Sequence, residues 1–281
     1  MAASPIEVRS QHGVYGVVVA RAARTRLHAV LAEAGVGGAV VMLSSRRVWT
    51  AQGAHLGRVT PILVADGERA KTLATVATVY DALLEARVDR GSTIVAVGGG
   101  VIGDMVGFAA ATFLRGVRLV HVPTTVMAQV DSAIGGKVGV NLARGKNLVG
   151  AFHPPALVVV DPDALATLSR REFRAGLYEV VKYGAIADEG LLGVLDGALP
   201  EVLTQRGDAL TELYVRSAAD VAFTLEPELR KKAFLVALGI GLDDSDTIRS
   251  KPIFGDLWKA VESDDERKAR IAVLGNPTVR Y

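Results

Sequence analysis

Apolar residues follow two rhythms along this chain. Short runs at Gly16–Ala20, Ala39–Leu43, Pro61–Ala65, Thr93–Val97, Val117–Val122 and Leu157–Val160 predict strands. Longer stretches between them, notably Arg69–Ala86 and Val101–Phe113, carry helical spacing. Within the first, Leu73, Val76, Tyr80 and Leu83 recur every three or four residues and Leu84 widens the stripe, which predicts one buried face. Such strand–helix alternation predicts an α/β fold, with a mostly parallel sheet covered by helices on both faces. Beyond Asp161–Pro162 the strand rhythm fades. Leu165–Ala187, Leu210–Phe223 and Glu228–Leu238 read as helices, with one more around Asp256–Val261. The expected organisation is an α/β domain over 1–161 and a mainly helical domain over 162–281.

Composition narrows the function classes. The 281 residues are 50% hydrophobic and 22% charged, which suits a sizeable core and excludes a disordered or collagen-like chain. Cysteine is absent, so neither a disulfide framework nor a thiolate metal site is available. With 32 Lys and Arg against 30 Asp and Glu, the charge is too balanced for a general nucleic-acid or membrane-surface partner. No apolar run approaches the ~20 residues of a membrane span. The first nine residues lack a basic start followed by an apolar run, so a cytoplasmic location is the expectation.

The sharpest local signal is Gly98-Gly99-Gly100-Val101-Ile102-Gly103-Asp104, after a strand and opening a helix. Gly98, Gly100 and Gly103 fit G-x-G-x-x-G, a turn that admits a pyrophosphate to a helix N-terminus. Tight strand–helix packing would also call for glycine here. The acid that usually reads the ribose about 20 residues further on is missing, because no Asp or Glu lies between Asp104 and Asp131. Two more polar turns follow strands: Asp66-Gly67-Glu68-Arg69-Ala70-Lys71, and Thr124-Thr125 after His121-Val122-Pro123. Taken alone, the acids of the first turn read more simply as helix caps. All three turns could converge on one ligand at the carboxyl edge of the sheet.

A lysine- and glycine-rich segment comes next, Asp131 through Gly135-Gly136-Lys137 to Asn141, then Gly145-Lys146-Asn147. Ammonium groups beside exposed backbone donors suit a phosphate or carboxylate, whereas any single lysine there reads equally as a solvated loop. In Arg171–Gly184, Glu179 and Lys182 share a helix face. They could be a metal ligand beside a catalytic cation, or a surface ion pair.

Together these residues resemble the 3-dehydroquinate synthase family of sugar-phosphate cyclases, from about Asp66 to Leu192. The likeness is carried by Gly98–Asp104, Pro123-Thr124-Thr125, Asp131–Asn141, Lys146-Asn147, Ala164–Thr167 and Glu179–Gly184. The resemblance implies a Rossmann-like NAD-binding domain followed by a shortened, mainly helical domain, with the active site between them. It places NAD against Asp66, Gly67, Glu68, Lys71, Gly99, Gly100, Val101, Ile102, Gly103, Asp104, Thr124, Thr125, Lys137, Lys146, Ala164, Leu165, Ala166 and Thr167. It places the substrate, 3-deoxy-arabino-heptulosonate 7-phosphate, against Arg115, Asp131, Lys137, Lys146, Asn147 and Lys182. In the implied reaction NAD oxidises one hydroxyl transiently, phosphate is eliminated, the ketone is reduced back, and the opened ring closes by aldol addition. This belongs to the shikimate route to aromatic amino acids. The resemblance also implies a homodimer and a Zn or Co ion with Glu179 as one of three ligands.

The other two metal ligands of the family are histidines of the helical domain. Here the histidines are His12, His28, His55, His121 and His153, and none follows. Asp243, Asp244 and Asp246 could bind a hard cation, but a solvated loop is the plainer reading of a glycine-flanked acidic clump. The segment after about Arg216 does not read like the family. Two alternatives therefore stand beside the cyclase: an NAD-binding homologue without the zinc site, and an NAD- and metal-dependent polyol dehydrogenase.

Overall fold

The computed structural model describes residues 5–224 except 11, 187 and 206. The helices expected at Glu228–Leu238 and Asp256–Val261, and the Asp243, Asp244 and Asp246 cluster, lie outside the described residues.

Nine strands form two sheets among the described residues: β1 (Ile6–Ser10), β2 (Gly13–Val19), β3 (Val40–Ser45), β4 (Ile62–Val64), β5 (Thr93–Gly98), β6 (Arg118–Pro123), β7 (Lys137–Leu142), β8 (Gly145–Phe152) and β9 (Leu157–Val160). The main sheet has the order β1-β2-β9-β6-β5-β3-β4, and only β1 is antiparallel to its neighbour. Strands β5 and β9 are buried at every position, as central strands covered on both faces must be. The helices are α1 (Leu27–Glu33), α2 (Arg46–Gln52), α3 (Leu73–Glu85), α4 (Gly100–Thr112), α5 (Arg170–Ile186), α6 (Glu189–Val202) and α7 (Asp208–Thr224). One core joins α3 and α4 to the sheet. A second joins β1, β2 and β9 to Phe173, Leu177, Val180, Leu191, Leu195 and Tyr214 of α5–α7, so the helical part packs directly on the α/β part.

Each of the six expected strands has its counterpart in the sheet, but several details differ. β1 has no counterpart in the apolar pattern because it is an edge strand of five residues. The 13-residue α3 starts at Leu73, four residues later than expected, because Thr72 caps it by accepting from the Thr75 N–H at 3.3 Å. Its buried stripe is Val76, Val79 and Leu83, while Leu73 and Leu84 face solvent. The single helix expected over Leu165–Ala187 is broken. A 3-10 turn spans Pro162–Thr167, and α5 starts afresh where the Ser169 hydroxyl accepts the Glu172 N–H at 3.2 Å. The lysine- and glycine-rich segment is an antiparallel hairpin, β7–β8, rather than a loop. Val138 and Val140 bury one face of it against α4. Gly107 permits this docking, because a Cβ there would collide with the Val138 side chain.

One buried group makes the fold acid-sensitive. His121 on β6 is enclosed, and burial, helped by nearby His153, pushes its pKa down from 6.5 to about 4. Folding therefore excludes the imidazolium, while the unfolded chain protonates near 6.5. This contribution is fully present above pH 6.5 and is lost as pH falls from 6.5 towards 4. A shift of that size corresponds to about 3 kcal/mol. Urea unfolding at pH 7 and pH 4.5 is expected to show the loss, and His121→Gln to remove most of it.

Candidate active site

The strand order fixes where a ligand can lie. The chain leaves β3 towards β4 on one side and leaves β5 towards β6 on the other, so β3 and β5 flank a topological switch point. Their carboxyl ends, with those of β4, β6 and β9, bring four turns to one edge: Asp66–Lys71, Gly98–Asp104, Thr124–Thr125 and Asp161–Thr167.

At the glycine turn, packing and ligand access act together. A Cβ at Gly98 would lie 2.6 Å from Cβ of Ile102, one at Gly99 3.0 Å from Cγ2 of Thr125, and one at Gly100 2.9 Å from Oγ of Ser132. Close packing against the branched Ile102 side chain alone therefore demands glycine at 98, while at 99 and 100 a Cβ would meet only side-chain ends that could give. The Ser132 hydroxyl brought there is buried with no hydrogen-bond partner in the protein. The first N–H groups of α4 have no intrahelical acceptor and open towards the same edge. Ile102 and Leu165 sit in the core, so any contact from them to a ligand is made by backbone.

The second turn and the hairpin form one polar network. Lys71, 3% exposed, pairs through Nζ with Asp104 and donates to Asn147 Oδ1 at 2.5 Å. Asn147 adopts a left-handed φ of 55°, and its N–H donates to Asn141 Oδ1 at 2.8 Å. Asn141 donates to Glu68 Oε1 at 2.8 Å, and Lys146 lies 3.6 Å from the same oxygen. Burial raises the Asp104 carboxyl, and Lys71 opposes that rise. Burial would also raise Glu68, but Asn141, Lys146 and Lys71 together hold it below its ordinary range. Lys137 begins β7, opposite Phe152.

A third cluster comes from the π-helical turn Ala128–Ser132 and α5. The Tyr183 hydroxyl donates to Asp131 Oδ1 at 2.6 Å, and Lys182 Nζ lies 3.7 Å from that oxygen. Lys182 also pairs with Glu179 and stands 4.3 Å from the centroid of the Tyr183 ring. Glu179 thus meets an ammonium rather than further metal ligands. Among the described residues no three His, Asp or Glu groups converge as a metal site.

The Ala164–Thr167 turn is fixed from below by Gln52, which is buried and was not singled out by sequence reasoning. Its Nε2 donates to the Ala164 carbonyl at 2.9 Å and to Thr167 Oγ1 at 2.6 Å. Ser45, Ser132 and Tyr183 were likewise not singled out as site residues. Ser45 and Tyr183 have polar partners distant in sequence, and Ser132 meets the glycine turn at Gly100, so only the fold shows their roles. Arg115 is the exception among the expected substrate residues. It follows the C-terminal end of α4, with φ 69°, at the amino edge of the sheet. Thirteen residues of helix put it roughly 20 Å from the glycine turn. Within one chain it does not join the other candidates.

Residues 61–175 match the family model described as 3-dehydroquinate synthase N-terminal. The chain is 40% identical over 253 residues to the 3-dehydroquinate synthase of Pelobacter propionicus, covering 86% of this chain and 70% of that one. The chain belongs to the 3-dehydroquinate synthase family. Over 151 residues it is 60% identical to the Thermosynechococcus vestitus 3-dehydroquinate synthase, which is 51% of this chain and 41% of that relative's length. Its fold also matches the 2-epi-5-epi-valiolone synthase of Streptomyces hygroscopicus, solved with NAD+ and Zn2+ bound. That match has a TM-score of 0.68 and 32% identity, over 82% of this chain and 65% of the other. No helix among the described residues is long and apolar enough to cross a membrane.

Proposed function

We propose that this chain carries the nucleotide-binding half and part of the substrate pocket of a 3-dehydroquinate synthase. The reaction would convert 3-deoxy-arabino-heptulosonate 7-phosphate to 3-dehydroquinate and phosphate. The observation that carries this reading is the convergence of Lys146, Asn147, Asp131 and Lys182 on the edge that holds the glycine turn, in a chain of this family. An anion cradle beside a nucleotide turn suits a phosphorylated polyol, whereas a neutral polyol would not call for it.

The NAD fit rests on the switch-point edge, the open first turn of α4 and the partnerless Ser132 hydroxyl. Asp66, Gly67, the backbone of Gly99–Gly103, Thr124, Thr125 and the Ala164–Thr167 turn would hold it. When bound, NAD supplies a hydride acceptor that later returns the hydride, so no net oxidation results. Lys71, Glu68 and Asp104 would hold the walls of this site, since each is engaged with another protein group. Lys146 and Asn147 would orient the phosphate or carboxylate end of the substrate. The Asp131 carboxylate would accept from a substrate hydroxyl through Oδ2, with Oδ1 occupied by Tyr183. Much of the rate would come from such orientation.

Among the described residues the donor set does not complete a three-ligand zinc site: Glu179 is engaged by Lys182, and no second and third ligand converge on it. The same observation favours a second reading, an NAD-binding homologue that does not turn over. The proposed division at Asp161–Pro162 rests on the fading of the strand rhythm there, the proposed cytoplasmic location on the sequence pattern, and the proposed homodimer on the family reading.

Phosphate release from the heptulosonate phosphate in the presence of NAD tests the first reading. Release matched by 3-dehydroquinate, without NADH accumulation, is the expected result. In that case Lys146→Ala raises KM about tenfold by removing one charge-assisted contact, and NAD affinity stays within about twofold. NAD binding without any phosphate release would leave the second reading.

A further inference from the structure

Asp131 reaches the site from the π-helical turn Ala128–Ser132, a form of turn found mostly where function requires it. Its side chain is 40% exposed, so burial alone does not fix its orientation. The Tyr183 hydroxyl does. It donates to Asp131 Oδ1 at 2.6 Å, across 52 residues of sequence. Tyr183 is 6% exposed and belongs to the core that joins α5–α7 to β1, β2 and β9, so a packed ring anchors an acid that packing leaves loose. Lys182 stands over the same ring, 4.3 Å from its centroid, and its ammonium lies 3.7 Å from Asp131 Oδ1. A cation over the ring face draws electron density from the phenol and strengthens its O–H as a donor. A phenol donating to a carboxylate also makes a charge-assisted bond. Both partners address Oδ1, which leaves Oδ2 for a ligand.

We propose that Tyr183 is the positioning residue of the substrate pocket, fixing Asp131 so that Oδ2 accepts from one substrate hydroxyl. This rests on the substrate reading above and deepens it. Tyr183 acts through Asp131 and need not touch substrate or cofactor. The tether also means that α5 aims an acid carried by the turn after β6. A polyol offers several hydroxyls, and a carboxylate free to turn would accept from more than one arrangement of them. A fixed carboxylate accepts in one register relative to the anionic end held at Lys146 and Asn147. Discrimination between sugar phosphates that differ in the placement of a hydroxyl follows from that register.

Calorimetric titration of the full chain with the heptulosonate phosphate, NAD present, tests this without requiring turnover. Tyr183→Phe keeps the buried ring and its contact with Lys182 and removes one hydroxyl. It is expected to weaken sugar-phosphate binding about five- to tenfold, the worth of one hydrogen bond, and to leave NAD affinity within about twofold. Adding Tyr183→Phe to Asp131→Ala should change sugar-phosphate affinity by less than about twofold, because the hydroxyl then has no acid to aim. A tyrosine with a merely structural role would show the same loss in both backgrounds. Tyr183→Met is the second hydroxyl-free variant, used where the phenylalanine variant does not fold. If the hydroxyl-free variant binds as the wild type does, or loses as much without Asp131 as with it, Tyr183 does not act through Asp131 and the inference fails alone. A wild type that does not bind the heptulosonate phosphate overturns the substrate reading and this inference with it.

Discussion

Asp161→Ala is expected to lower folding stability by about 3–5 kcal/mol, the loss typical of leaving one member of a buried ion pair unpaired. Asp161 is 0% exposed and Arg24 6%. The carboxylate accepts from Arg24 Nη1 at 2.5 Å and from the N–H groups of Ala22, Arg24 and Asp163 at 3.0, 3.2 and 3.0 Å. Alanine would strand a buried guanidinium and three backbone donors at once. Urea unfolding measures the loss. Arg24→Met combined with Asp161→Ala should recover part of it, because the uncompensated charge is gone. A drop below about 1 kcal/mol would show that solvent reaches the pair. The effect extends to the site. The Asp161 carbonyl accepts from Gln129 Nε2 at 2.9 Å, and the same nitrogen donates to the Pro123 carbonyl at 3.1 Å. Gln129 thereby ties the ends of β9 and β6 to the π-helical turn that presents Asp131 and Ser132. NAD affinity is therefore expected to fall along with stability.

The strands were legible because a buried parallel strand writes itself as a continuous β-branched run, as in Thr93–Val97 and Leu157–Val160. The β7–β8 hairpin was not, because its buried face is only Val138 and Val140 with Ala151 and Val149 opposite them, interrupted by the Gly139–Gly150 pair. The glycine turn was read correctly as a strand-to-helix junction. Gly98, however, is demanded by Ile102 packing as much as by any ligand, and Thr125 and Ser132 crowd Gly99 and Gly100 from parts of the chain that sequence spacing does not display. Asp66 shows the same limit, since its hydrogen bond from Ser45 joins groups 21 residues apart. Arg115 stands apart from the other candidates within one chain for a topological reason. A residue in the right order along the chain lands at the opposite edge of the sheet once α4 has carried it there.

Lys71→Met is expected to cost about 2–4 kcal/mol at pH 7, and its pH dependence identifies the cause. The lysine ammonium is held between Asp104 and Asn147, and its aliphatic stem is already buried, so methionine keeps much of the packing. What disappears is the charge that opposes the burial-driven rise of the Asp104 carboxyl. Without it the folded-state pKa of Asp104 lies further above its unfolded value. A group raised in this way favours the folded state at low pH and disfavours it as pH climbs past the unfolded value. The gap between wild type and Lys71→Met should therefore shrink as pH falls from 7 towards 4. His121 contributes equally to both proteins over that interval and cancels in the difference. Asp104→Asn placed in the Lys71→Met chain should restore most of the lost stability at pH 7, since a neutral amide carries no charge to strand. A gap that stays constant with pH, and is not relieved by Asp104→Asn, would mean that Lys71 acts through Asn147 and the hairpin instead.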